Sequence, residues 1–155
     1  MSTATAIPVL DTSLLLLDLR LRRLDGVLKE LADFAAGAGT SVAPERVHDA
    51  LVRRERLYSS AIGKGVAVPH ARTFAIGRAL TVVARSARGV DWHARDGAPI
   101  RLVLAVLVPG DMGLDPFYDR LARAIAAGRL SKHRQRLLAA GTLEQCRSAF
   151  AEVLA

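Results

Sequence analysis

The chain has 155 residues, 51% of them hydrophobic and 24% charged, with a formal net charge of +7. That balance is typical of a globular domain and excludes a disordered chain, a collagen-like repeat and a disulfide-stapled miniprotein. A domain of this length buries roughly 68–70% of the surface its unfolded chain exposes, so a real core is available without a second domain. The single cysteine, Cys146, allows no internal disulfide and suits a reducing, cytoplasmic compartment. The longest clean apolar run, Leu102 to Val108, falls well short of the ~20 residues of a spanning helix, so no membrane insertion is expected. The run Leu14 to Leu17 is shorter still, and with no positive charge before it makes a poor signal peptide. The positive charge invites a nucleic-acid reading, but the basic residues are scattered among acids and aromatics are only 5% of the chain. There is little to stack bases on, so no nucleic-acid partner is expected.

In chain order, residues 1–12 are small and polar with Pro8 as a breaker, and read as a loose N-terminal segment before a single domain over 13–155. A helix is predicted over 21–36, where Leu24, Val27, Leu28, Leu31 and Ala35 share one face. A second is predicted over 44–55, with Pro44 in its first turn and Val47, Ala50 and Leu51 as its buried stripe. Ser59 to Gly65 has no period and reads as a loop; Val66 to Val68 is a short strand stopped by Pro69. Strands follow over 80–84 and 100–108, the latter so continuously apolar that it must be covered on both faces. Helices are predicted over 116–127 and 132–139, and a last one after Gly141, where Thr142 and Gln145 form a capping-box pattern. Helices, then strands, then helices specify an α/β (α+β mixed) fold, a mixed β-sheet flanked by helices. A homodimer is compatible with helices at both ends, though no residue pattern specifies one.

Of the four histidines, His48 and His133 sit among charged helix neighbours and read as solvated surface residues, and His93 lies in a turn-rich stretch. None pairs with another ligand at a metal spacing, so neither a metal nor another cofactor is expected. His70 stands apart. It follows the strand-ending Pro69, at the kind of position where open α/β sheets place ligands. Gly63 and Gly65 give flexible backbone for an anion, Ser59 and Ser60 carry hydroxyls, and Arg54 offers a charged fork. An imidazole nitrogen is a competent nucleophile near neutral pH, so the group reads as an anion or phosphoryl site. The alternative is a tight glycine turn, a helix-capping Arg54 and a structural His70.

The stretch Arg54 to Arg72 (RERLYSSAIGKGVAVPHAR) resembles the signature of the EIIA domains of the bacterial phosphotransferase system, fructose/mannitol type, close to R-E-x-x-x-S-T-x-I-G-x-G-[IV]-A-[IV]-P-H-[AG]-R. Leu28 to Ala32 is similar to the family's first helix, and Asp96 to Ile100 to its D-G-x-P-[VI] turn. The resemblance implies the EIIA fructose/mannitol-type fold and a phosphoryl group received on His70 from the phosphocarrier HPr. It implies that Arg54 helps to hold that group and that Ser59 and Ser60 stand for the S-T pair. It also implies a second histidine at the start of the helix after the central strand, where this chain has Phe117. Tyr118 and Arg120 are the nearby side chains with polar ends. A free EIIA of this size is closest to the nitrogen-regulatory branch, which signals through partner proteins. Two alternatives are a stand-alone sugar-specific EIIA working with an EIIB domain, and a binding module whose relay is impaired by Phe117.

Overall fold

The computed structural model describes residues 14–154, so the expected loose segment over 1–12 lies outside the described residues. In chain order the elements are β1 (Leu14–Asp18), α1 (Leu24–Gly37), α2 (Pro44–Leu57), β2 (Ala61–Gly63), β3 (Val66–Ala67), β4 (His70–Thr73), β5 (Leu80–Val90), β6 (Ile100–Pro109), α3 (Leu114–Arg129), α4 (Ser131–Ala139) and α5 (Leu143–Leu154). Among the described residues they form one six-stranded sheet, ordered β1-β5-β6-β3-β2, with β4 also on β6.

β6 is the axis of this sheet. Leu102 to Val108 are all fully buried. Alternate residues serve opposite faces: Val103, Ala105 and Leu107 pack with α1 and α2, while Leu102, Leu104, Val106 and Val108 pack with α3 to α5. Double coverage is why the strand reads as an unbroken apolar run. One edge of β6 carries β5, antiparallel. The other edge carries β3 and then β4 in tandem, both parallel to it. Pro69, which has no N–H to give, sits between these two and still supplies its carbonyl to the Val106 N–H at 3.0 Å.

Several elements differ from the sequence reading for identifiable reasons. Leu14 to Asp18 is a strand because it finds β5 as a parallel neighbour, a long-range pairing that a short apolar run cannot announce. α1 starts at Leu24 because the preceding backbone is engaged elsewhere: the Arg20 and Leu21 N–H groups donate to Glu30, and the Arg22 carbonyl accepts from Asp91. β5 continues past residue 84 to Val90, through an irregularity where the Ser86 hydroxyl accepts the Gly89 N–H. His70 opens a strand that the sequence leaves unassigned. His133 is not a solvated residue: it is buried, with its Nδ1 3.7 Å from Glu152. His48 is partly buried, 3.2 Å from Asp25. At α5 the Thr142 half of the capping box forms, with the Gln145 N–H donating to Thr142 Oγ1 at 3.1 Å, while the Gln145 side chain accepts the Gly141 N–H at 2.6 Å in place of that of Thr142.

The stretch read as a loop contains a hairpin. β2 and β3 pair antiparallel around Gly63-Lys64-Gly65, with φ values of 93°, 60° and 76°. Gly65 is required there twice over: its φ lies in the left-handed region, and a Cβ would stand 3.2 Å from the Pro99 carbonyl oxygen. Gly65→Val is therefore expected to cost about 1–3 kcal/mol, read as a lowered urea midpoint; an unchanged midpoint would contradict this account of the turn.

Candidate functional site

The site is assembled where α2 ends, β4 begins and α3 begins. β4 fixes His70 opposite Val106 on β6. The loop after β6 leads directly into α3, and Arg72 on β4 ties that loop down by donating to the Gly110 and Met112 carbonyls at 3.0 and 3.2 Å. This brings Phe117, in the first turn of α3, to a ring-centroid distance of 6.0 Å from His70. From the other side, α2 delivers Arg54, whose Nε donates to His70 Nε2 at 2.9 Å. The residues around His70 enclose a cleft of about 680 Å³, which also touches Arg53, Tyr58, Arg72 and Tyr118. That is within the range of small-molecule and phosphoryl sites.

The hydrogen bonds of His70 decide its chemistry. Nδ1 lies 2.9 Å from the Val68 carbonyl oxygen. A carbonyl can only accept, so Nδ1 carries the proton; a guanidinium can only donate, so Nε2 carries the lone pair. The imidazole is thus held neutral, with its nucleophilic nitrogen toward Arg54. Burial is the largest influence on its pKa and pushes it below 6.5; the Val68 bond raises it, the Arg54 charge lowers it and Glu55 raises it, leaving a net lowering.

Arg54 is itself positioned. Its guanidinium lies 3.8 Å from the centre of the Tyr58 ring, and its Nη1 donates to the Tyr58 carbonyl at 3.2 Å. Tyr58 stands at an open position of the resembling pattern, and its ring lies beneath the Arg54 cation on the closing turn of α2. Glu55 was also passed over. Its carboxylate accepts the Ser60 N–H and the Ser60 hydroxyl, both at 2.7 Å, and Trp92 Nε1 at 3.1 Å. It holds the chain's exit from α2 against the end of β5.

The predicted site residues divide accordingly. The structure brings together His70, Arg54 and Phe117. Ser60 is buried with its hydroxyl spent on Glu55. Ser59 is exposed, and its oxygen accepts the Ala61 N–H at 3.1 Å. Gly63 and Gly65 form the hairpin turn, level with Arg101 and Leu102 rather than with Val106 opposite His70. None of these four lines the cleft. Of the two polar neighbours of Phe117, Tyr118 borders the cleft, whereas Arg120 turns into the protein and donates to Thr81 Oγ1 at 2.8 Å. Among the described residues no three His, Cys, Asp or Glu side chains gather as a metal-ligand set, and no helix is long and apolar enough to cross a membrane.

Comparison with known proteins agrees with this fold. Residues 8–152 match the family described as "Phosphoenolpyruvate-dependent sugar phosphotransferase system, EIIA 2". The PTS system fructose-specific EIIA component of Haloferax volcanii is 33% identical over 133 residues, 84% of each chain. The crystal structure of the nitrogen regulatory protein IIA-Ntr from Neisseria meningitidis superposes with a TM-score of 0.77 at 25% identity, covering 92% of this chain and 94% of that one. Enzyme IIA-mannitol of Escherichia coli, solved in complex with phosphorylated enzyme IIB-mannitol, shares the fold with a TM-score of 0.72 at 16% identity, covering 92% and 96%. A chain matched to the family over nearly its whole length, with a mixed sheet between helices and a histidine at the switch from β3 to β4, belongs to the EIIA type-2 family of the phosphoenolpyruvate-dependent sugar phosphotransferase system.

Proposed function

We propose that this protein is a phosphocarrier that accepts a phosphoryl group on His70 Nε2 from an HPr-like protein, and signals or passes it on through partner binding. The observation that carries the reading is the Nδ1–H tautomer set by Val68, which leaves the Nε2 lone pair facing the cleft beside a guanidinium. In the transfer, that lone pair forms the new N–P bond while the N–P bond of the donor phosphohistidine breaks, its electron pair returning to the donor's imidazole. Arg54 moves from the lone pair to the phosphoryl oxygens and offsets their charge, which is the main task of a phosphoryl-transfer site. Leu57, Tyr58, Leu114 and Tyr118 line the cleft and are exposed. An apolar rim of this kind suits a protein partner. Partner-dependent signalling, as in the nitrogen-regulatory branch, is the form we favour; an EIIB domain is the partner of the sugar-specific form.

Phosphoenolpyruvate, enzyme I and HPr should add one acid-labile phosphoryl group to the wild-type protein, detected by intact mass, and none to His70→Ala. Arg54→Ala should still accept the group, about 10²–10³-fold more slowly. A labelled His70→Ala would place the acceptor elsewhere, and an unchanged rate would remove Arg54 from the site.

The lowered pKa of His70 fixes the pH dependence. Acceptance needs the neutral ring, so the pH at which its rate has fallen to half should lie below about 6.5. The folded protein binds fewer protons at this residue than the unfolded chain does. Its contribution to stability is therefore present above 6.5 and lost as pH falls through the lower folded value. An NMR titration of the His70 ring giving a midpoint above 6.5 would contradict this.

Phe117 supports the second reading, a module that binds partners but relays poorly. Its ring is 7% exposed and packs at His70, where it can donate nothing to developing charge. If the relay is impaired, Phe117→His should speed transfer by at least tenfold. Equal rates in the two proteins would exclude impairment at this position.

A further inference from the structure

Arg54 can serve a phosphoryl group only if its guanidinium is already at the cleft, and it is kept there differently from several other arginines of the chain. Arg53, Arg85 and Arg123 meet the carboxylates of Asp49, Asp18 and Asp119. Arg54 has no carboxylate partner among the described residues. Its Nε donates to His70 Nε2 at 2.9 Å, its Nη1 donates to the Tyr58 carbonyl at 3.2 Å, and its Cζ lies 3.8 Å from the centre of the Tyr58 ring. Glu55, the next residue, is occupied by Ser60 and Trp92.

Such a seat suits an anion site. A carboxylate beside Arg54 would repel an incoming phosphoryl group and offset part of the guanidinium's charge. An aromatic face attracts the cation through its quadrupole, and a carbonyl through its dipole, and neither carries a net charge. The seat also permits the exchange that transfer requires. The bond to Nε2 occupies the lone pair that attacks phosphorus, so it must open. The contacts with Tyr58 use a different nitrogen and the face of the guanidinium, so they can persist while Nε lets go.

Tyr58 is itself fixed in advance. It is the C-cap of α2, four residues after Arg54 and so on the same face of the helix. Its backbone is extended, with φ −166° and ψ 157°, and two residues later Glu55 holds the Ser60 N–H and hydroxyl. Tyr58 is 67% exposed, and its hydroxyl makes no hydrogen bond among the described residues. The working part is therefore the ring. Its exposure beside the cleft makes a docking contact for a partner the competing explanation.

We propose that Tyr58 is a positioning residue: its ring is the uncharged seat that holds the Arg54 guanidinium against His70 in the resting protein and keeps it at the cleft during phosphoryl transfer. The role during transfer rests on the phosphocarrier reading; the role in the resting protein does not.

The test compares the wild type with Tyr58→Leu, Tyr58→Phe, Arg54→Ala and the double variant Tyr58→Leu/Arg54→Ala, each checked for folding by circular dichroism and thermal midpoint. The first readout is the NMR titration of the unphosphorylated His70 ring. The Arg54 charge lowers the His70 pKa, so Tyr58→Leu should raise the midpoint toward that of Arg54→Ala. Tyr58→Phe should return it to the wild-type value, and the double variant should match Arg54→Ala. The other charges near the ring, Glu55 and the cleft-lining Arg53 and Arg72, are untouched in every variant. The second readout is single-turnover transfer from phosphorylated HPr at saturating donor. Tyr58→Leu should be about 3- to 10-fold slower, with the loss rescued in Tyr58→Phe and absent in the Arg54→Ala background. An unmoved midpoint in Tyr58→Leu would overturn the seat. A loss seen only as a raised half-saturating HPr concentration, or one undiminished without Arg54, would make Tyr58 a docking contact and overturn its part in transfer. A wild-type chain that takes no phosphoryl group would sink the phosphocarrier reading, and the titration alone would then decide the seat.

Discussion

The bond from His70 Nδ1 to the Val68 carbonyl decides which imidazole nitrogen can react, and much of the fold serves to keep it in place. The two residues are separated only by Pro69, and the bond closes because β3 and β4 dock in succession on the same edge of β6. Pro69 interrupts the pairing without leaving a buried donor unmatched, and its carbonyl is taken by Val106. The donor side of this arrangement is a neutral ring made easier to keep neutral by burial. The cost of that burial falls on the charged form alone.

Around this fixed ring the surroundings are asymmetric. One side supplies a strong cation, Arg54, held by Tyr58 from below and by the end of α2. The other side supplies an apolar wall, Phe117, itself stacked on Tyr118 with centroids 5.6 Å apart. Arg54 is the cation bonded to the ring; Arg72 also lines the cleft but is committed to the Gly110 and Met112 carbonyls, and Arg120 is drawn to Thr81 in the interior. Glu55 joins this site to the rest of the domain. It follows Arg54 in sequence and gathers Ser60 and Trp92.

How much of this the sequence disclosed varies with the range of the interactions involved. The helices were legible because their apolar periods are local, and β6 because burial on both faces leaves an unbroken apolar run. Arg54 and His70 were legible because they sit in one long motif. β1 was not, since its identity as a strand depends on pairing with β5, 67 residues away (Leu14 with Thr81, for instance). β2 and β4 were hidden by the glycines and the proline that shape their turns. The roles of Ser60, Gly63 and Gly65 were inferred from proximity to His70 in sequence, but Glu55 draws the serine inward and the hairpin carries the glycines along β6 away from the histidine. His133 looked solvated between Lys132 and Arg134. Only the packing of α4 against α5 shows that its side of the helix faces inward.

The most direct test of the central claim is nitrogen NMR of the His70 ring before and after phosphorylation by HPr. The account predicts a neutral Nδ1–H tautomer in the free protein and a phosphorus bonded to Nε2 in the phosphorylated one. A proton on Nε2 in the free protein, or phosphorus on Nδ1, would contradict it.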